Sequence, residues 1–494
     1  MLGTALLYTA EQTRALDHCA IHEHGIPGST LMARAAAAAF GELIETWPDP
    51  GRLQVLCGTG NNGGDGFLIA DLAHKRGIEV SVLQVSDPDK IGGDALRARE
   101  QALANGVPVA PYSENALISD GVVVDAMLGT GLGGEVRAPY ASVIDTVNAR
   151  GLPILAVDIP SGLCADTGRV LGRAVRAART VTFIGRKRGL FTGAAADYTG
   201  PVRFFDLEVP PAVYRAVPCS CSRLQLEPLL DFMPPRPATA HKGQFGTVLV
   251  IGGDHGMAGA AALAAEAALR CGAGLVRVAT HREHVGPLVA RTPEIMPRAV
   301  TSADDLSAMV ASADVLVVGP GLGQSEWSRR MLAAAGAAGV PMVLDADALN
   351  LLAGADRDSR VAPDRCVLTP HPGEAARLLG TDTPAVQADR FTAVETLQRR
   401  FGGVIVLKGN GSLIAAEGGE VLLSDYGNPG MASGGMGDVL SGVLGALLAQ
   451  GLAPLEAAAL GVCLHGAAAD RAAVDGQRGL AASDLMPHLR AALG

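Results

Sequence analysis

Lysine is scarce in this chain. Of 494 residues, 40 are basic, yet only Lys75, Lys90, Lys187, Lys242 and Lys408 are lysine. A lysine against that arginine background points to local chemistry rather than routine surface solvation. Positive charge as a whole is outnumbered, since 50 acidic residues leave a formal net charge of -10. Phosphate neutralisation needs clustered Lys and Arg, so nucleic acid is not an expected partner. Cysteine is thin as well. Among the eight, only Cys219 and Cys221 are close, and their spacing fits neither a zinc ribbon nor a redox pair. No charge-free span of twenty residues occurs, and Glu11, Arg14 and Asp17 interrupt the N-terminal segment. No membrane span and no secretion signal are therefore expected, and the reading is a reduced, soluble, cytoplasmic protein. Three motifs are missing: the phosphate loop ending Gly-Lys-Ser/Thr, the Gly-x-Ser-x-Gly elbow and His-Glu-x-x-His. Their absence argues against P-loop enzymes, serine hydrolases of that class and zincins.

Hydrophobic residues make up 48%, which excludes a disordered chain, and 63 glycines promise tight turns and close backbone approaches. The length calls for two or three domains. Strand-like apolar runs alternate with Ala- and Leu-rich helical runs throughout, which predicts an α/β fold with mainly parallel sheets. One segment breaks the rhythm. Residues 208–240 hold Pro210, Pro211, Pro218, Pro228, Pro234, Pro235 and Pro237. Proline fixes φ and removes donors, so this reads as a boundary, placed at 215–222. The expected domains are residues 1–215 and 222–494.

In the first half, a strand at 53–57 is followed by the glycine-rich stretch 58–66 and a helix at 67–76. A glycine loop between strand and helix lets backbone N–H groups meet a phosphate. This one also carries Asn61, Asn62 and Asp65. A strand at 122–128 carries Asp125 and ends in Gly129-Thr130-Gly131-Leu132-Gly133-Gly134. A strand at 153–159 carries Asp158 and ends in Pro160-Ser161-Gly162. Ligands of open α/β sheets bind beyond the carboxyl ends of the strands, so these three ends suggest one site. The bland alternative is that Asp125 and Asp158 cap turns. Asn62, Asp125 and Ser161 are oxygen donors of the kind hard cations prefer, and spacing alone leaves the ion open.

These motifs, with Val181-Thr182-Phe183, Lys187 and Gly189-Leu190, resemble NAD(P)H-hydrate epimerase over roughly residues 9–210. The resemblance implies a Rossmann-like three-layer domain. It implies contacts to the hydrated cofactor from Asn61, Asn62, Gly63, Gly64, Asp65, Gly129, Thr130, Gly131, Leu132, Gly133, Gly134, Glu135, Tyr140 and Asp158. Potassium would sit on Asn62, Asp125 and Ser161, and Asp158 would be the acid/base. Thr59 stands where the family has Pro, and Cys164 where it has Asp, which bears on fine substrate contacts.

In the second half, strands are expected at 247–251, 275–279, 315–318, 342–344, 367–369 and 404–407. Gly434-Gly435-Met436-Gly437-Asp438 then precedes a helical pattern at 439–450. Glycines before a helix form an anion hole of backbone N–H groups. Asp438 at its mouth is either a helix cap or a base for a hydroxyl aimed at a phosphoryl group. His371 lies in a fixed turn between Pro370 and Pro372. His281 and His284 lack a Cys or carboxylate frame and read as a solvated turn; His18 and His22 share a helical face.

The stretches 241–246, 257–260, 319–323, 345–350, 371–374, 406–409 and 434–438 resemble the ribokinase-like superfamily over residues 222–494. More narrowly, they resemble ADP/ATP-dependent NAD(P)H-hydrate dehydratase. A ribokinase-like α/β/α domain is implied. Ala260, Gly321, Gly323, His371 and Asp438 would contact the hydrate. Lys408, Gly409, Asn410, Gly411, Ser412 and Gly437 would contact ADP or ATP, which brings Mg²⁺. Together the halves imply a metabolite-repair enzyme that epimerises NADH and NADPH hydrates and dehydrates the S form. The fused arrangement favours ADP. The competing reading is a vitamin-precursor or sugar kinase with a non-catalytic N-terminal binding domain. The expected partners are small molecules alone, and a homo-oligomer is left open.

Overall fold

The computed structural model describes residues 5–354 and 365–493. The chain forms two compact units, dividing after Cys221. The first runs past residue 215 because the helix Pro211–Ala216 belongs to it: Val213 and Val217 are buried in its core. The proline-rich stretch is thus no free linker. Its later residues Leu224, Leu226 and Leu229 are buried in the core of the second unit.

The first unit holds a seven-stranded sheet in the order Val109–Pro111, Glu79–Gln84, Arg52–Cys57, Val122–Ala126, Ile154–Val157, Arg179–Phe183, Val202–Phe205. All its neighbours are parallel. Both faces are covered. Leu53, Val55 and Cys57 point to helices Gly28–Thr46, Asn61–Lys75 and Gly93–Ala104, while Leu56 packs on the other side with Val143 and Ile144 of helix Tyr140–Arg150. Burial on two faces is why these strands are continuous apolar runs rather than alternating ones.

In the second unit seven parallel strands run Met296–Ala299, Leu275–Thr280, Thr247–Ile251, Val315–Val318, Met342–Leu344, Cys366–Leu368, Val404–Leu407. An antiparallel pair, Ser412–Ala415 and Val421–Ser424, extends the edge. One face is packed by helices Ala258–Arg270, Met436–Ala449 and Pro454–Ala472, whose alanines and glycines let the axes approach closely. Among the described residues, no helix is long and apolar enough to cross a membrane.

Gly442 marks the tightest of these approaches. A Cβ there would overlap the carbonyl of Ala264 on the facing helix. Gly442→Val is expected to cost about 1–3 kcal/mol by overpacking, read as a lower urea midpoint for the second unit's unfolding in the intact chain. An unchanged midpoint would refute this packing.

Candidate functional site

The Asn-Gly motif of the first unit is not the loop that the sequence suggests. The helix expected at 67–76 starts six residues earlier, as Asn61–Lys75, and only Gly58, Thr59 and Gly60 connect it to the strand Arg52–Cys57. The glycines serve packing. A Cβ on Gly63 would overlap the carbonyl of Gly58, one on Gly64 would strike Met32, and one on Gly66 would meet Cys57 and Ala126. Small residues let the helix lie close on the strand, and its first-turn N–H groups open toward the cavity mouth.

That cavity has a volume of about 540 Å³. Of the expected residues, Asn61, Asn62, Asp65, Gly129, Thr130, Gly131, Leu132, Gly133, Tyr140 and Asp158 line it. Gly63, Gly64, Gly134 and Glu135 do not. Thr59 lines it as well, whereas Cys164 lies outside. Asp158 follows the strand Ile154–Val157 in a left-handed conformation, φ 68°, which turns the chain beyond the sheet. Its Oδ1 pairs with Lys187 Nζ and accepts from Thr182 Oγ1 at 3.4 Å. Lys187 is 1% exposed, and its ammonium also donates to Thr182 Oγ1 at 3.0 Å and Phe183 O at 3.1 Å. Two further carboxylates face this pair. Burial pushes Asp17 up to about 6, with Lys187 opposing and Asp158 reinforcing the rise. Asp65 is held well above the usual range by burial, then by the Asp158 and Asp17 charges. The sequence reading missed Asp17 as a site residue. It took Lys187 only as part of a matching segment, since neither has a local motif.

Asp125 is fully buried at the end of strand Val122–Ala126. It accepts from Ser161 Oγ at 2.6 Å, Ser161 N at 2.8 Å and Met127 N at 3.2 Å, so the turn-capping reading is met in part. Asn62 is different. Both its amide oxygen and nitrogen are buried without a hydrogen-bond partner. Such an orphaned amide is costly unless something outside the chain satisfies it. An amide oxygen, a carboxylate and a hydroxyl fit an alkali cation. A Cβ on Gly129 would lie 3.5 Å from Asn62 Cβ and 3.9 Å from Asp158 Oδ2, so the second glycine loop runs between them.

In the second unit the expected start of the last helix shifts too. The helix runs Met436–Ala449, entered through Gly435 at φ 92°. Asp438 lies inside its first turn and is not the cap, and its carboxylate is left toward the site. Burial pushes Asp438 up to about 7, followed by repulsion from Asp345 and partly offset by Lys408. Lys408 Nζ sits 2.6 Å from Asp345 Oδ1 and 3.9 Å from Glu374 Oε2. Burial alone would lower this ammonium, but Asp345 and Glu374 leave it above its usual range. Ser441 Oγ donates to Asp345 at 2.8 Å. A Cβ on Gly437 would lie 3.2 Å from Lys408 Nζ, so glycine here lets the helix start approach the cluster.

The other expected residues surround this cluster. His371 Nδ1 accepts from the N–H groups of Gly373 and Glu374, which caps helix Pro372–Leu379 and leaves the proton on Nε2. Burial, then Lys408 and Arg377, lowers this imidazole, so it stays neutral near pH 7. Gly321 abuts Ala260, and the N–H of Gly323 donates to Asp347 at 2.9 Å. The loop Lys408–Ser412 is held from beneath by Arg390, 1% exposed, whose guanidinium donates to the carbonyls of Leu407, Lys408 and Gly411. The sequence reading missed Arg390 and took Asp345 and Glu374 only as parts of matching stretches. It also misjudged His284, which is buried rather than solvated, and His281, which has a carboxylate partner in Asp254.

Two family models match the chain. Residues 28–189 match the YjeF-related protein N-terminus and residues 248–490 match NAD(P)H-hydrate dehydratase. The bifunctional NAD(P)H-hydrate repair enzyme Nnr of Coxiella burnetii is 47% identical over 486 residues, covering 98% of this chain and 99% of that protein. The Escherichia coli protein of the same description is 44% identical, covering 98% and 93%. Among solved structures, a ribokinase-like superfamily protein from Enterococcus faecalis aligns at 30% identity with a TM-score of 0.52. It covers 56% of this chain and 95% of its own.

The Asp158–Lys187 pair yields a stability test. Lys187→Met leaves a carboxylate without its countercharge, at a cost toward the lower end of about 3–5 kcal/mol because Asp158 keeps some water. Adding Asp158→Asn should recover part of that loss in urea unfolding. Additive losses in the double variant would show that the two groups are uncoupled.

Proposed function

The chain belongs to the bifunctional NAD(P)H-hydrate repair enzymes, and on that premise we propose how its two units divide the chemistry. It is an epimerase joined to a ribokinase-like dehydratase. The first unit interconverts the R and S hydrates of NADH and NADPH, and the second dehydrates the S form with ADP or ATP.

In the first unit, the first-turn N–H groups at Asn61 and the loop Gly129–Gly133 take the anionic part of the hydrate. The nicotinamide end lies against Asp158, which moves protons at the hydrated carbon. Lys187 fixes the Asp158 carboxylate in place. Potassium on Asn62, Asp125 and Ser161 would supply fixed positive charge beside the hydrate's phosphates and would satisfy the orphaned Asn62 amide oxygen.

In the second unit, Asp438 takes the proton of the C6 hydroxyl as its oxygen attacks the terminal phosphoryl group of the nucleotide, which arrives with Mg²⁺; the bridging P–O bond breaks and the nucleotide leaves with one phosphate fewer. The glycine-rich helix start, residues 434–437, offers N–H groups to the phosphoryl oxygens. Lys408–Ser412 cradles the nucleotide through its backbone, while Lys408 Nζ stays with Asp345. The ring-nitrogen lone pair then expels phosphate from C6, and loss of a proton from C5 restores the double bond. The observation that carries this reading is a half-buried Asp438, outside the cap position and raised to about 7, against a buried lysine–carboxylate cluster.

Asp438→Asn should cut dehydration about 10²–10⁴-fold, the usual size of a general-base contribution. Epimerisation should be untouched. A base must be deprotonated, so wild-type dehydration should rise with pH through about 7 and level off above it. The variant's residual rate should lack that limb. NADH absorbance with mixed hydrates and ADP reads both, and phosphorylated product that accumulates without elimination would favour the kinase alternative.

Asp125→Ala should lower epimerisation together with its response to added potassium, while dehydration of pure S hydrate survives. Equal wild-type epimerase activity with and without potassium would remove the ion from this site.

A further inference from the structure

A third polar cluster borders the Gly321–Gly323 turn of the second unit, on side chains that neither reaction uses. Strands Thr247–Ile251 and Leu275–Thr280 are parallel neighbours, with Ile251 opposite Ala279. Their carboxyl ends therefore deliver Asp254 and His281 to one place. His281 Nε2 lies 2.9 Å from Asp254 Oδ1, and the N–H of His255 donates to the same oxygen at 2.8 Å. The imidazole of His255 stacks on that of His281, with centroids 4.1 Å apart. Trp327 forms the far wall, 4.4 Å from the His281 ring, and is fixed by its own Nε1 donating to Val300 O at 2.9 Å. Glu283 Oε1 sits 2.5 Å from His255 Nδ1 and 3.8 Å from His284 Nε2. His284 Nδ1 faces the carbonyl of Gly253 at 3.0 Å. A carbonyl only accepts, so that nitrogen carries a proton.

We propose that Asp254, His255 and His281 bind a divalent transition ion of the zinc class, with Glu283 or water completing a tetrahedral shell. The three donor atoms lie within 4.8 Å of one another. Zinc bonds of about 2.0–2.1 Å would draw them to about 3.3 Å apart. Asp254 is buried and His281 half-buried, both already positioned, and His255, 69% exposed, supplies the remaining movement by side-chain rotation. Two imidazoles and a carboxylate suit zinc, cobalt or nickel and disfavour magnesium and potassium, which take oxygen alone. The ion would tie the loop after one strand to the helix Arg282–Arg291 after its neighbour. It would also brace the Gly321 turn, whose carbonyl accepts from the N–H of Asp254 at 2.6 Å.

The test is titration of the chelator-stripped full chain with Zn²⁺ by calorimetry, and with Co²⁺ by visible absorption. One zinc per chain and the visible bands of tetrahedral cobalt are expected. Zinc should raise the unfolding temperature of the second unit. His255→Ala should weaken binding about tenfold or more, while His281→Gln and Asp254→Asn remove it together with the thermal shift. His18→Ala/His22→Ala, which removes the adjacent imidazole pair of the first unit, should change nothing. Circular dichroism checks each fold. His255 is exposed, so its variant decides the matter even if Asp254→Asn fails to fold. No zinc binding by the wild type would overturn the proposal, as would binding that survives both His255→Ala and His281→Gln.

Discussion

Burying an ammonium costs several kcal/mol unless a carboxylate meets it in good geometry, and both carboxylate clusters of this chain rest on such a pair. Lys187, 1% exposed, is held by Asp158, and Lys408 by Asp345, itself 1% exposed. These are two of only five lysines in the chain. Each pair sets the charge of its neighbourhood. Asp17, Asp65 and Asp158 line one cavity, and without Lys187 they would lose the buried cation set against them. Without Lys408, Asp345, Glu374 and Asp438 would lose theirs in the second unit. The protein can gather carboxylates for proton transfer because a fixed cation keeps that gathering tolerable.

The two units arrive at this arrangement by the same geometric rule. Parallel strands end on one edge, so side chains just past their carboxyl ends converge without any sequence proximity. Asp125 and Ser161 meet that way in the first unit, as do Asp345, His371 and Lys408 in the second. Glycine then decides how near the backbone can come. Gly63 and Gly66 press a helix onto a strand, and Gly437 brings a helix start against an ammonium. The same edge of the second sheet delivers Asp254 beside His281, so a metal-binding group there follows from topology already present for catalysis.

The two candidate acids differ in how they are held. Asp158 is strained into a left-handed conformation and tied to Lys187, which fixes its position. Asp438 lies in a helix first turn and accepts no hydrogen bond among the described residues; its raised affinity for protons comes from burial and neighbouring charge. A group with an ion-pair partner suits precise placement over a ring carbon. One without a fixed partner suits taking a proton from an incoming hydroxyl.

The sequence by itself determined the α/β class, the positions of strands such as Thr247–Ile251 and Val315–Val318, and the identity of Asp125, Asp158 and Asp438 as residues of interest. It could do so because strands buried on both faces are unbroken apolar runs, and because glycines beside carboxylates are local patterns. It misplaced the starts of helices Asn61–Lys75 and Met436–Ala449, since glycine weakens helix propensity and only packing against a neighbouring strand or helix restores it. Tertiary structure alone decided the partners: Lys187 with Asp158, Lys408 with Asp345 across 63 residues, Arg390 beneath the loop that follows Leu407, and His281 against Asp254. Those pairs bridge separate strands and helices, and what joins them is the cost of a buried charge left alone, which no local stretch of sequence records.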